Sequence, residues 1–163
     1  MDGTGNPWFR ADLGLRGDRI AALGPLAGAT ASVTIDAGGK VVAPGFIDAH
    51  VHGDLALFLD PHHEPAIRQG VTTYLVGQDG VAMAPASPAV FEYMCRYTAG
   101  FSAGAEWLRR PDRPSWRSVE EYLAAFDRRT AVNVATLVPT ATSAWRSWAD
   151  DAQGADSRRA WPG

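Results

Sequence analysis

Val41-Val42-Ala43-Pro44-Gly45-Phe46-Ile47-Asp48-Ala49-His50-Val51-His52-Gly53-Asp54 is the stretch around which the rest of the chain is arranged. Pro44-Gly45 marks a corner, Phe46 to Ala49 is a short apolar run of strand character, and Gly53-Asp54 begins a loop. Alternate residues of a strand project to the same side, so the imidazoles of His50 and His52 face one way and Val51 the other. Two neutral imidazoles at a strand end suit zinc and its neighbours, and leave coordination positions for a third group and a water. The spacing alone favours two surface histidines on a sandwich strand. Placement favours the metal reading, because a core strand emptying into a ligand-bearing loop is how barrel enzymes present their chemistry.

Before this stretch, Asp2 to Pro7 are turn formers, and Ala11 to Arg16 alternates as a strand. Gly17-Asp18 is a tight turn into a second strand, Asp18 to Leu23, and Val33 to Asp36 and Lys40 to Ala43 complete an expected small antiparallel sheet. After it, Asp60-Pro61-His62-His63-Glu64-Pro65 starts a short helix that runs through Gln69 and stops at Gly70. His62 and His63 read as surface residues near its cap. Val71 to Val76 is a second core strand, emptying into Gly77-Gln78-Asp79-Gly80. Asp79 is either a third metal donor or a turn aspartate bonded to its own backbone. Asp54 either orients an imidazole or starts a loop.

Further on, Pro85 to Pro88 is a loop and Ala89 to Thr98 a helix, with Val90, Met94 and Tyr97 on one side. Phe101 to Arg117 shows no clear period, and Trp107 and Trp116 within it read as packing residues. Ser118-Val119-Glu120-Glu121 has the spacing of a capping box and opens a helix to Arg129, with Tyr122, Leu123 and Phe126 inward. Val132 to Val138 is a third core strand.

With 163 residues, 46% hydrophobic and 20% charged, the composition is that of about one ordinary globular domain. A formal charge of -3 and no long basic run argue against a nucleic-acid surface. No apolar run is long enough to span a membrane and no secretory signal marks Met1, so a cytoplasmic location is the simplest expectation. A single cysteine, Cys95, cannot form an internal disulfide and reads as a small buried thiol.

Pro44-Gly45-Phe46-Ile47-Asp48-x-His50-x-His52 resembles the first barrel strand of the amidohydrolase superfamily, which includes dihydroorotases, hydantoinases and D-aminoacylases. Asp2-Gly3-Thr4-Gly5-Asn6-Pro7-Trp8, Arg68-Gln69-Gly70-Val71-Thr72-Thr73 and Val76-Gly77-Gln78-Asp79-Gly80 resemble its N-acyl-D-amino-acid deacylase branch, over roughly Asp2 to Pro139. The resemblance implies an α/β chain: the N-terminal part of a composite β-sandwich over residues 1–43, then the first strand-helix units of a metal-dependent TIM-like barrel over 44–139, incomplete. A whole barrel takes about 250 residues, and bare apolar faces and poor solubility are therefore expected.

The implied chemistry is hydrolysis of the N-acyl bond of a small-molecule N-acyl amino acid by zinc, as one or two divalent ions. The resemblance implies His50 and His52 as metal ligands, with Asp79 as the third candidate. The best-known D-aminoacylases carry a cysteine ligand at the position of Asp79, within Gly-Asn-Cys-Gly, so this chain departs there toward a harder oxygen donor. The family's later histidine ligands and its general-base aspartate match nothing within this chain. A hydantoinase- or dihydroorotase-like cyclic amidohydrolase, and a non-catalytic remnant, are the alternatives. Residues 140–163 depart from the family pattern and form an expected divergent or frame-shifted tail, testable by translating the gene in all three frames. The resemblance begins directly after Met1, which suggests a start site placed too late.

Overall fold

The computed structural model describes residues 3–112 and 114–144, and the chain divides into two units, Met1–Pro44 and Gly45–Gly163. In the first, β1 (Asp12–Arg16) and β2 (Arg19–Gly24) form an antiparallel hairpin that closes at the Arg16–Arg19 pair. This is the turn read at Gly17-Asp18. The two further strands expected at Val33 to Asp36 and Lys40 to Ala43 are not formed. Val33, Ile35 and Val41 are more than 70% exposed, and none of these segments is laddered to a neighbour. β-propensity without a partner to accept its hydrogen bonds does not make a strand.

The second unit is built on a parallel sheet in the order β3-β4-β5, from Phe46–Asp48, Val71–Val76 and Asn133–Thr136. All three were legible as apolar runs, although β5 is shorter than expected. Between β3 and β4 lie two short helices, α1 (Asp54–Leu59) and α2 (Glu64–Ile67). Between β4 and β5 come a 3-10 turn at Gln78–Gly80, α3 (Pro88–Tyr97), α4 (Gly104–Leu108) and α5 (Val119–Ala124). Parallel neighbours need such crossovers.

Tyr74 and Val76 of β4 are buried, two apart on one face, under a core of Leu55, Leu57, Val90, Phe91, Met94 and Tyr122. Phe58 stacks on Phe126 at 4.4 Å and on Trp116 at 5.1 Å, and the Trp107 indole N–H donates to Leu55 O at 3.1 Å. Both tryptophans are therefore packing residues, and the polar tip of Trp107 is satisfied. Cys95 is buried and in no disulfide.

Capping fixes two helices. Ser87 accepts from Val90 N ahead of Pro88, and Ser118 accepts from Glu121 N at 3.0 Å. The Glu121 carboxylate takes the N–H of Arg117, one residue before the position of a standard capping box. α5 ends at Ala124, short of the expected Arg129; the chain goes on in tighter turns, with Phe126 N bonded to Leu123 O and Asp127 N to Ala124 O, until Arg128 enters the left-handed region at φ 56. Tyr97 is 60% exposed and stacks on Tyr93; Phe91 and Cys95 take its expected place in the core.

Of the expected tail, residues 140–144 are described and helical, and 145–163 lie outside the described residues. Thr142 is fully buried, accepting from Ala82 N at 3.2 Å and donating to Ala82 O at 2.6 Å.

Candidate metal centre

Because β3 and β4 run parallel, the loops that leave them emerge on the same end of the sheet. β3 ends at Asp48, whose Oδ1 accepts from His50 N at 3.2 Å and turns the chain so that both histidines clear the strand. Beyond β4, Gly77 is at φ 82, and a Cβ built on it would lie 2.8 Å from both Leu137 O and Thr136 Oγ1. Only glycine fits a left-handed position pressed against a neighbouring backbone. The turn then puts Asp79 at φ 57, a conformation that aspartate tolerates better than most residues.

The result brings together the three donors read from the sequence. Asp79 Oδ2 lies 3.3 Å from His50 Nε2 and 3.4 Å from His52 Nε2, and the three donor atoms fall within 4.8 Å of one another. The edge of a tetrahedron with bonds of about 2.0–2.2 Å is about 3.3–3.6 Å, so two of these separations already suit a zinc-sized ion. His50 and Asp79 are about two-thirds exposed at the side chain and His52 about one-fifth, so the cluster opens to solvent on one side.

His52 is sheltered by Phe101, whose ring meets it edge-on at 5.0 Å between centroids. Nothing in the aperiodic stretch after α3 signals that contact. Gln78 also went unassigned: its side-chain amide donates to Ala49 O at 2.6 Å and Leu75 O at 3.2 Å.

Asp54 neither starts a loop nor gives its carboxylate to an imidazole. It is the first residue of α1, 4% exposed, and its Oδ2 accepts from the Tyr122 hydroxyl. Burial pushes its pKa up, opposed by the Tyr122 bond, by backbone N–H groups including that of Leu55, and by nearby His52. The same burial, with Asp54 beside it, holds the Tyr122 phenol well above its ordinary pKa. His63 sits apart from the cluster at the start of α2, its ring edge-on to Tyr74 at 5.6 Å. No helix of the described residues is long and apolar enough to cross a membrane.

A mixed α/β unit that gathers two histidines and a carboxylate at the C-terminal end of a parallel sheet belongs to the class of folds that place their sites at that end. The profile of the amidohydrolase family matches residues 33–159. The chain belongs to that family.

It is similar to an N-acyl-D-glutamate deacylase of Alcaligenes xylosoxydans xylosoxydans, 42% identical over 85% of this chain and 26% of that protein. A D-aminoacylase of the same organism is 51% identical over 55% of this chain and 18% of its own length. A solved D-aminoacylase structure, described for its binuclear metal centre, matches with a TM-score of 0.66 at 37% identity, covering 86% of this chain and 28% of that one. The chain thus spans about a quarter or less of the relatives it matches.

Proposed function

We propose that this chain carries part of the metal centre of an N-acyl-D-amino-acid deacylase, hydrolysing the N-acyl bond of a small-molecule substrate. The observation that carries the reading is the convergence of His50, His52 and Asp79 from two neighbouring strand ends. In this reading β3, β4 and β5 are the first strands of a TIM-like barrel over residues 44–139, and residues 1–43 are part of a β-sandwich. His50 and His52 hold a zinc ion by Nε2, and Asp79 supplies an oxygen donor. An ion held there supplies Lewis acidity toward the amide carbonyl and lowers the pKa of water toward neutrality. Asp48 fixes the turn into His50, and Phe101 keeps water from one side of His52.

The substrate class rests on the relatives, which act, by name, on N-acyl-D-glutamate and N-acyl-D-aspartate. The test has two readouts. Titration with Zn2+ or Co2+ should show one site that His52→Ala and Asp79→Ala each weaken, by about tenfold or more. Uptake unaffected by either substitution would refute the assignment. With Zn2+ present, acetate release from N-acetyl-D-glutamate but not from its L enantiomer supports the deacylase reading. Equal release from both enantiomers counts against it; the family's general-base aspartate matches nothing within this chain, so little or no release is expected from the chain by itself and the metal titration then decides.

A further inference from the structure

The two donor-bearing loops come from different strands, and His50 and Asp79 are 29 residues apart in sequence. Something must set the gap between them. The ladder between β3 and β4 does so only as far as the Asp48–Tyr74 pair. Beyond that point, among the described residues, the loops are joined side chain to backbone by one residue. The Gln78 amide carries two N–H donors, and both are used. One reaches Ala49 O at 2.6 Å, immediately before His50, and the other reaches Leu75 O at 3.2 Å, inside β4. The same residue is followed directly by Asp79, whose left-handed φ of 57 turns its carboxylate back toward the imidazoles. Its own carbonyl accepts from Val81 N at 2.8 Å, which closes the turn from the other side.

We propose that Gln78 is a positioning residue for the metal centre, a clamp that fixes the His50-Val51-His52 loop at bonding distance from Asp79. The inference rests on the metal reading above and adds to it the group that holds the donors in register. Length and chemistry are both specified. An asparagine is shorter by one methylene, roughly 1.5 Å, and cannot span to Ala49 O from the same backbone. A glutamate has the length but sets a carboxylate against two carbonyl oxygens, with no proton to share. Groups that orient metal ligands from behind typically control affinity by about 10–100-fold.

The experiment uses the whole chain and three variants: Gln78→Met, which keeps the length and loses both donors, Gln78→Glu, and Gln78→Asn. Backbone amide exchange is followed first with chelator and no metal. The clamp predicts faster exchange across residues 49–53 and 77–80 in all three variants, with β4 protected as before. Co2+ titration follows, with the visible spectrum reporting donor geometry, and affinity is expected to fall by about 10–100-fold in each variant. Exchange that is unchanged in both loops, or Co2+ affinity within about twofold of the unsubstituted chain, would overturn the proposal. So would faster exchange spread evenly through β4, which marks general loosening. A chain that takes up no Co2+ even with Gln78 intact defeats the metal reading instead, and the metal-free exchange still decides whether Gln78 joins the two loops.

Discussion

Tyr122→Phe removes one oxygen from the core and leaves the apolar body of the side chain in place. That hydroxyl donates to Asp54 Oδ2, and both residues are buried. A hydrogen bond to a charged acceptor contributes about 1.5–3 kcal/mol, and stripping a buried charge of its partner costs about 3–5 kcal/mol. Asp54 keeps backbone N–H donors, that of Leu55 among them, so the expected loss is about 2–3 kcal/mol. For a chain of this length that is a fall in Tm of about 4–12 °C. The loss depends on pH, with a sign that follows from burial. Asp54 has its pKa raised in the fold, so the folded chain holds this proton to higher pH than the unfolded chain does. Stability from this group is therefore highest in acid, declines as the pH climbs from the ordinary carboxylate range through the raised value, and is level above it. Tyr122 opposes the rise; without its hydroxyl the raised value moves higher still. The Tm deficit of Tyr122→Phe should then be smallest near about pH 4 and largest near about pH 7.5. Thermal melts with chelator present measure it directly. Asp54→Asn is the control: its amide oxygen accepts from the backbone, its NH2 donates to the phenol oxygen, and it has no charge to strand. A deficit equal at both pH values, or Asp54→Asn melting as low as Tyr122→Phe at neutral pH, would refute the reasoning.

Two further substitutions probe the site's surroundings. Gly77→Ala should destabilise the chain by about 1–3 kcal/mol, from positive φ and the contact with Leu137 O, and should weaken Co2+ binding as Asp79 shifts; a melt and an affinity both unchanged would show that the turn relaxes freely. Phe101→Ala should cost about 0.5–1.5 kcal/mol through the lost edge contact with His52 and leave that imidazole more reactive to diethyl pyrocarbonate, whereas unchanged labelling would show that the ring gives no shelter.

The elements most legible in the sequence were those whose pattern comes from burial. β3, β4 and β5 are short apolar runs bounded by turn residues, and the metal candidates sit immediately after two of them. Where several explanations share one pattern, the sequence does not choose among them. α1 was missed because Leu55 and Leu57 are both fully buried, leaving no polar face to mark a helical period, and Gly53 supplies no side-chain cap. α4 has five residues, too few to show a period at all. Tyr122 was legible as core but not as the partner of Asp54, since an inward position on a helix says nothing about what the hydroxyl meets. Gln78 and Phe101 act through tertiary contacts that no spacing encodes. The unformed strands at Val33 to Asp36 and Lys40 to Ala43 fail for the opposite reason: their local pattern is right and the partner is lacking among the described residues.

Residues 136–142 contain none of the candidate donors, yet they form the wall behind one. Gly77 faces Thr136 and Leu137, a Cβ on Gly80 would lie 2.8 Å from Thr140 Oγ1 and 3.0 Å from Ala141 N, and Thr142 is bonded to Ala82 on both sides of its backbone. The two stretches are thus constrained to drift together. A larger residue at position 80 is strained by its φ of 74 and presses on the Ala141 backbone as well as on Thr140, so it must displace the stretch after β5, and an insertion there presses back on the loop that carries Asp79. Epistasis between these two loops, one bearing a donor and the other silent, is what a deep mutational scan of this chain should find.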